Sequence, residues 1–355
     1  MNPRLKKLFD AFPKNRIDGL LVSSWPNVTY LSGFKGTESW AFVSPKGLYL
    51  ITDSRYAEEA REEAKGFHVV LRDKRGVAEI VKDLAGKGRV RRIGFEAGIV
   101  TYDFYRRLAK TAGAKRLTAT RGLVEELRVV KDAFETAQIR KSAELAVRGY
   151  HYIRKAIRPG MSERDAQGRL EYYTKTLGSE KPAFDLIIAS GARSSMPHCR
   201  SDETPIRKGG LVLVDMGVVY GGYHSDLTRP VFLGKMTSFQ KKIHDLVWHA
   251  QRLGIEKAGP GVPAKEVDRV CRKVIEQGGH GDFFGHGTGH GVGLEIHEAP
   301  TVSSRSETLL KPGMVITVEP GIYLPGRFGI RIEDMVLITE KGREVLTKGL
   351  ERERR

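Results

Sequence analysis

The sequence is short of cysteine, long apolar runs and acidic residues. Its two cysteines, Cys199 and Cys271, lie far apart in a chain of 355 residues. This usage suits a reducing compartment and argues against a disulfide framework. No apolar run approaches the ~18–20 residues of a transmembrane helix, and the N-terminal segment lacks the apolar stretch of a secretory signal. We therefore expect a cytoplasmic protein that does not enter a membrane.

The shortage of acidic residues leaves a strong positive charge. Lysine and arginine number 60 against 43 aspartates and glutamates, so the net charge is +17. Such a field attracts nucleic acids and other anions. However, the basic residues are spread along the chain, and no RNA-binding signature or zinc-finger spacing occurs. We interpret the charge as a solvated basic surface and predict no nucleic-acid partner.

The length fits two domains of ordinary size. From Leu5 to about Arg121, short apolar runs alternate with helical patterns, which indicates an α/β domain. A long charged helix then runs from Asp132 to about Ile157. The predicted organisation is an α/β domain over residues 1–127 and an α+β domain over residues 128–355.

The second domain combines helices with strongly apolar strands. Predicted helices cover residues 162–177, 238–258 and 264–276, and predicted strands cover residues 185–191, 211–217, 314–320 and 329–337. His244 and His249 lie on the second of these helices, and we expect both on its surface.

Two aspartates flank a predicted hairpin. With Gly221-Gly222 as a two-residue loop, Asp215 opposes Thr228 and Asp226 opposes Gly217, so both carboxylates project from one face. Carboxylates this close repel each other unless a cation lies between them. Asp215 ends a run of four apolar residues and cannot relax into water. The pattern therefore predicts a metal site.

Further candidate ligands occur downstream. Glu319 and Glu333 lie in apolar strands, where an acid without a partner is costly. His290 lies in a segment rich in glycine and histidine between Gly285 and His297. Four carboxylates carry more charge than one divalent ion needs, and oxygen-rich ligation favours a hard metal such as manganese. The predicted ligands of two divalent ions are Asp215, Asp226, His290, Glu319 and Glu333.

Such a pair of ions, ~3.5–4 Å apart, activates water and polarises a carbonyl, which predicts a hydrolase. Glu319 is the candidate to carry the proton of that water. His198 and His297 are candidates to hold the substrate carbonyl or the oxyanion. Arg331 is placed to support the ligands or to bind a substrate carboxylate.

These residues and their surroundings resemble a known family. The segments Val-Asp-Met-Gly, His-Gly-Thr-Gly-His-Gly-Val-Gly-Leu, Val-Glu-Pro-Gly-Ile-Tyr and Arg-Ile-Glu-Asp are similar to those of the pita-bread metallopeptidases, and within them the Xaa-Pro group of aminopeptidase P and prolidase. Residues 27–34 and 52–56 resemble the creatinase-like N-terminal domain of that group. The resemblance covers nearly the whole chain and implies a creatinase-like domain followed by a pita-bread domain.

The resemblance implies a role for each site residue. Asp215 would bind one ion through both oxygens, Asp226 and Glu333 would bridge two ions, and His290 and Glu319 would complete the shell. His198 and His297 match the substrate histidines of the family, and His286 a further histidine near the pocket. Manganese or cobalt is the usual metal and zinc an occasional one. A homodimer is expected.

The expected activity is hydrolysis of an Xaa-Pro bond, either at the N-terminus of longer peptides or in dipeptides. Dipeptide-restricted prolidases often carry an arginine shortly after the His-Glu pair, whereas Thr301 follows His297-Glu298-Ala299-Pro300 here. This difference favours longer peptides as substrates, although Arg327, Arg331 or a basic residue from a partner subunit can bind the carboxylate of a dipeptide instead. The alternative is a catalytically silent pita-bread protein that binds proteins or nucleic acids.

Overall fold

The computed structural model describes residues 2–72 and 74–350. The chain separates into two compact units, Met1–Arg128 and Val129–Arg355. The charged C-terminal residues 351–355, which end the second predicted domain, lie outside the described residues. Within the described part of the chain, no helix combines the length and the apolar character needed to cross a membrane.

The first unit is built on a mixed six-stranded sheet. Its strands are β1 (Gly19–Val22), β2 (Ser39–Ser44), β3 (Gly47–Thr52), β4 (His68–Leu71), β5 (Ile93–Glu96) and β6 (Leu117–Thr120). Their order in the sheet is β4-β3-β2-β1-β5-β6, with β2 antiparallel to both β1 and β3 and with parallel pairs elsewhere. The helices are α1 (Pro3–Asp10), α2 (Phe12–Asn15), α3 (Trp25–Ser32), α4 (Ala57–Glu63), α5 (Val77–Lys87), α6 (Tyr102–Leu108) and α7 (Glu125–Arg128).

Helix α5 shows how the sequence pattern builds this unit. Its apolar residues recur at helical spacing, and Val77, Ile80, Val81 and Leu84 are buried. They pack with Leu21 and other strand residues in one apolar cluster. Burying such side chains contributes roughly 1.5–3 kcal/mol each relative to exposure. The α/β prediction for this part of the chain is confirmed.

The second unit contains four long helices. They are α8 (Ala133–Ala156), α9 (Glu163–Thr176), α10 (Ser238–Lys257) and α11 (Ala264–Gln277). Helix α8 begins at a capping box, in which Asp132 and Glu135 each accept a hydrogen bond from the other's backbone N–H, at 2.9 and 3.1 Å. Helix α9 begins at Ser162, whose hydroxyl accepts from the N–H of Asp165.

The strands of the second unit form several small sheets. In chain order they are β7 (Lys181–Pro182), β8 (Ile187–Ser190), β9 (Leu211–Met216), β10 (Val218–Tyr220), β11 (Tyr223–His224), β12 (Leu227–Phe232), β13 (Gly289–Gly291), β14 (Glu298–Val302), β15 (Val315–Val318), β16 (Gly321–Leu324), β17 (Phe328–Arg331), β18 (Asp334–Thr339) and β19 (Gly342–Val345). The sheet orders are β11-β10-β7, β12-β9-β8, β14-β13-β15-β18-β19 and β16-β17.

The predicted hairpin register is confirmed. Strands β9 and β12 pair antiparallel with Asp215 opposite Thr228, and β10 and β11 pair with Tyr220 opposite Tyr223. Gly221 and Gly222 form the turn with φ of 60° and 83°, which suits a tight hairpin loop. The register therefore brings the two aspartates close together.

The single strand predicted over residues 329–337 is wrong. The segment divides into β17 and β18, which belong to different sheets. Ile332 and Glu333 lie between them, and the N–H of Glu333 donates to the carbonyl of Thr228 at 3.1 Å. The apolar residues on both sides conceal the break, because both strands are buried.

The surface position predicted for His244 is also wrong. Its side chain is buried, with 2% of the residue exposed, on the same face of α10 as Ile243 and Val247. The ring lies 6.3 Å from that of Trp248, centroid to centroid, at an interplanar angle of 19°. His249 is exposed, as predicted.

Candidate metal centre

A cavity of about 1030 Å³ lies in the second unit. Its wall contains all nine predicted site residues, which come from strands and loops spread over more than a hundred positions. They are His198, Asp215, Asp226, His286, His290, His297, Glu319, Arg331 and Glu333. The structure thus brings the predicted set together, and the roles of its members remain predictions.

Three of the predicted ligands form the tightest group. One ligand atom each from Asp226, His290 and Glu333 lies within 4.8 Å of the other two. Glu319 adjoins this group, with Oε1 3.4 Å from Nε2 of His290. Asp215 lines the same cavity, and its Oδ2 accepts a hydrogen bond from Arg331.

The glycines around His290 serve close packing. A Cβ on Gly289 would lie 2.1 Å from the carbonyl oxygen of Thr317, and one on Gly291 would lie 2.2 Å from that of Ala299. Strand β13 therefore approaches both β14 and β15 at distances that only glycine permits. Nδ1 of His290 lies 3.0 Å from the carbonyl of Gly291. With the ring proton on Nδ1, the lone pair of Nε2 faces the carboxylates.

Two fully buried threonines orient the two glutamates. The hydroxyl of Thr228 donates to Oε2 of Glu333 at 2.6 Å. The hydroxyl of Thr317 donates to Oε1 of Glu319 at 3.1 Å and accepts from the N–H of His290 at 3.0 Å. Each hydroxyl fixes one carboxylate oxygen, which leaves the other oxygen for a ligand.

The electrostatics of the group favour a cation. Burial, followed by the negative charge of nearby carboxylates, raises the pKa of both Asp226 and Glu333 well above their ordinary values. Burial raises the pKa of Glu319 to about 7 and lowers the pKa of His290 to about 4. A positive ion among these groups would stabilise the anionic carboxylates and the neutral imidazole.

Two buried oxygen atoms in the cavity wall have no hydrogen-bond partner among the described residues. They are Oδ1 of Asp215 and Oε1 of Glu333. A buried polar atom without a partner costs roughly 1–3 kcal/mol, more when charged. Four acids and one imidazole form a donor set that suits hard divalent metals. The residues therefore fit a divalent metal centre.

Arg331 links this centre to a second histidine. Its Nη1 donates to the hydroxyl of Tyr323 at 2.7 Å, and that hydroxyl lies 3.0 Å from Nε2 of His286. Nε of Arg331 also donates to Thr228 at 3.0 Å. Burial raises the pKa of Tyr323 to about 12 and lowers the pKa of His286 to about 4. One buried cation thus balances part of the negative charge of the centre.

The remaining two histidines are the accessible ones. His198 and His297 are both exposed on the cavity wall. The ring of His297 lies 4.4 Å from that of His290, centroid to centroid, in an edge-to-face arrangement. Both imidazoles are therefore available to a molecule in the cavity.

The roles of Thr228, Thr317 and Tyr323 in the site were not predicted from the sequence. Thr228 lies opposite Asp215, and Thr317 lies two residues before Glu319. Each threonine therefore shares a face with a predicted ligand, and this spacing could have identified both as part of the site. Tyr323 belongs to a strand, β16, that the pattern did not predict. Its position beside Arg331 follows from the pairing of β16 with β17.

A buried ion pair supports the turn that carries His297. Nζ of Lys131 donates to Oε2 of Glu298 at 3.1 Å, with 1% and 6% of the two side chains exposed. The other oxygen of Glu298 accepts the N–H of Glu295 at 3.0 Å. The pair therefore closes the turn before strand β14.

Replacing Lys131 by methionine is expected to lower the free energy of unfolding by roughly 3–5 kcal/mol, because the buried carboxylate of Glu298 then loses the ammonium group that balances its charge. Urea denaturation followed by circular dichroism measures the loss. Lys265→Met is the matched control, since its partner Glu307 is 76% exposed, and it should cost less than about 1 kcal/mol. Equal losses in the two variants would contradict the structural role of Lys131.

Comparisons with known proteins agree with this geometry. Residues 137–340 match metallopeptidase family M24, and residues 4–130 match the creatinase/prolidase N-terminal domain. The chain is 38% identical over 349 residues to an Xaa-Pro dipeptidase of Pyrococcus horikoshii, covering 98% of this chain and 97% of the relative.

Two solved structures are similar over nearly the full length. An Xaa-Pro dipeptidase from Bacillus anthracis is 38% identical with a TM-score of 0.95, covering 98% of each chain. An X-Pro aminopeptidase from Thermotoga maritima is 36% identical with a TM-score of 0.91, also covering 98% of each chain. An Xaa-Pro dipeptidase and an X-Pro aminopeptidase are therefore similar to this chain to nearly the same degree.

Proposed function

We propose, from the premise that this chain belongs to metallopeptidase family M24, that it hydrolyses the peptide bond before proline in Xaa-Pro substrates. The family assignment confirms the predicted creatinase-like N-terminal domain and pita-bread domain. The observation that carries the proposal is the group of four acids, three of them buried, and one imidazole in the cavity wall. Membership of a metallopeptidase family implies divalent metal ions at such a group.

The metal ligands we propose are Asp215, Asp226, His290, Glu319 and Glu333, with manganese as the preferred metal. Divalent ions held there would lower the pKa of a water molecule and polarise the substrate carbonyl. Glu319 can accept the proton of that water, because Thr317 engages Oε1 and leaves Oε2 for this purpose.

The histidines of the cavity supply hydrogen bonds to the substrate. His198 and His297 are exposed and can donate to the carbonyl oxygen of the Xaa residue as it gains negative charge. His286 is held by Tyr323 and borders the same cavity, so we assign it to substrate binding. Arg331 balances the acids and keeps Asp215 oriented.

The cavity also suits the proline side of the bond. An Xaa-Pro bond lacks an N–H, so its recognition needs no acceptor at that atom. Phe184, Leu186, Ile187 and Ile296 contribute apolar surface to the wall, which can contact the proline ring. We propose that peptides longer than a dipeptide are also substrates, because Thr301 lines the wall and the volume is about 1030 Å³.

A peptide panel tests this function. Protein loaded with manganese is expected to hydrolyse Ala-Pro and Ala-Pro-Ala with release of alanine. It is expected to hydrolyse Ala-Ala-Ala at least about tenfold more slowly, because the apolar wall selects the proline ring. Product release is followed by liquid chromatography. Cleavage of Ala-Pro alone would refute the extension to longer peptides, and absence of cleavage of both proline substrates would refute the proposed function.

The alternative of a catalytically silent binding protein is not favoured. The relatives of this chain that match over nearly its full length are named as peptidases. All five candidate ligands are present and lie in one cavity wall. The homodimer and the cytoplasmic location are retained as proposals from the sequence. Light scattering during size-exclusion chromatography measures the mass that tests the dimer.

A further inference from the structure

Helix α11 carries an ion pair between Asp268 and Arg272. Nε and Nη2 of Arg272 donate to the two carboxylate oxygens of Asp268 at 3.0 and 2.9 Å, and no part of the Asp268 side chain is exposed. A bidentate pair of this kind is strong and geometrically specific. Burying it nevertheless brings little net stability. Its contacts suggest another role.

Arg272 reaches the segment that leads to the candidate metal centre. Its Nη1 donates to the carbonyl of Phe284 at 3.0 Å, and its Nη2 donates to the carbonyl of His286 at 2.9 Å. The guanidinium carbon also lies 4.4 Å from the centroid of the Phe284 ring, within range of a cation–π interaction. The carbonyls of two alternate residues, Phe284 and His286, are thus held by one planar group.

Asp268 holds the next alternate residue of the same segment. Its Oδ1 accepts the N–H of Thr288 at 3.1 Å and the hydroxyl of Thr288 at 2.9 Å. The carbonyl of Thr288 in turn accepts the N–H of Glu319 at 2.8 Å. Together Asp268 and Arg272 make four hydrogen bonds to the backbone and side chains of residues 284–288.

Both residues of the pair lie outside the cavity lining. The segment that they hold, residues 284–288, contains His286 and ends two residues before His290, and both histidines line the cavity. We propose that Asp268 and Arg272 are positioning residues, which fix the path of residues 284–288 and thereby place His290 and the backbone of Glu319 in the metal centre. The effect on the metal centre rests on the proposed function. The effect on the path of residues 284–288 does not.

The central test compares Arg272→Met with Arg269→Met. Arg269 lies on the same helix and pairs with Glu266, but 58% of its side chain is exposed, so it is the matched control. Arg272→Met is expected to weaken manganese binding about 10–100-fold in titration calorimetry, as does loss of other groups that orient metal ligands. Arg269→Met is expected to stay within about twofold of the unmodified protein.

Amide hydrogen exchange gives a readout that needs neither metal nor activity. In the metal-free protein, the amides of residues 284–290 are expected to exchange at least about tenfold faster in Arg272→Met than in Arg269→Met, because the bonds to the segment are lost. Arg272→Lys keeps the charge without the planar fork and should restore only part of the protection. Faster exchange throughout the second unit, with no excess at residues 284–290, would show general destabilisation and would overturn the proposal.

The double variant Asp268→Asn/Arg272→Met keeps the test decisive if the single variant does not fold, since it leaves no unpaired buried charge. It should show the same loosened segment and weakened metal binding. Exchange and manganese affinity equal to those of Arg269→Met, in either folded variant, would overturn the proposal. An unmodified protein that cleaves no Xaa-Pro peptide would refute the function alone, because exchange still tests the positioning.

Discussion

Glu333→Gln is expected to lower kcat/KM for an Xaa-Pro substrate by roughly a thousandfold or more in the presence of manganese, since the centre loses a charged ligand where it activates water. Glu333 is buried, its Oε2 is held by Thr228, and its Oε1 has no hydrogen-bond partner among the described residues. Glutamine keeps the shape and the bond to Thr228. The loss would therefore report on the carboxylate itself.

The same variant is expected to change stability in the opposite direction. Burial and the charge of nearby carboxylates raise the pKa of Asp226 and Glu333 well above their ordinary values, so the charged form of Glu333 is disfavoured when no cation is present. Removing one acid should raise the free energy of unfolding of the metal-free protein by roughly 1 kcal/mol or more. Urea denaturation after dialysis against a chelator measures this gain.

Glu307→Gln is the control for both measurements, because Glu307 is 76% exposed and lies outside the cavity lining. It should leave kcat/KM within about twofold and stability within about 0.5 kcal/mol. A Glu333→Gln protein with unchanged kcat/KM would remove Glu333 from the catalytic centre. A loss of metal-free stability would show that its charge is compensated by groups other than a cation.

Removal of metal is the second change with a large expected effect. Dialysis against a chelator should abolish hydrolysis of Ala-Pro, and manganese should restore it, because bound divalent ions lower the pKa of water far below its value in bulk. Manganese at a hundred times its dissociation constant should also stabilise the folded protein by about 2.7 kcal/mol per independent site. Titration calorimetry should give two ions for each chain.

His290→Ala provides the comparison for this experiment. It removes the one imidazole of the tight group formed with Asp226 and Glu333. The variant should gain less thermal stability from manganese than the unmodified protein at every concentration. The same measurement with cobalt and zinc, each added separately at equal concentration, ranks the metals by the thermal stability that they confer. Full activity after exhaustive chelation would contradict a metal-dependent mechanism, and a single bound ion would contradict the dinuclear centre.

Much of this organisation was predictable because it depends on local pattern. The hairpin register follows from a period of two and a two-residue glycine turn, so the pairing of Asp215 with Thr228 was predictable before any contact was known. The capping residue Ser162 and the helix after it follow from similarly local rules. Acids in apolar strands likewise indicated a cation without knowledge of the fold.

Predictions failed where burial on both sides removes the pattern. Residues 329–337 are buried throughout, so the break at Ile332 and Glu333 left no periodic trace. His244 was misplaced because a histidine on an amphipathic helix is usually polar surface, whereas its face of α10 is covered here. In both cases, packing between elements overrides the local preference.

The sequence by itself indicated which acids and histidines are candidate metal ligands, because residue type and spacing act over short distances along the chain. Only the tertiary structure decided how these groups are held. Arg331 and Asp215 are 116 residues apart, and Thr228 and Glu333 are 105 apart. Contacts over such separations arise when sheets and helices pack, which no local pattern encodes. The hydrogen bonds that join Asp268 and Arg272 to the segment before His290 likewise depend on the packing of helix α11.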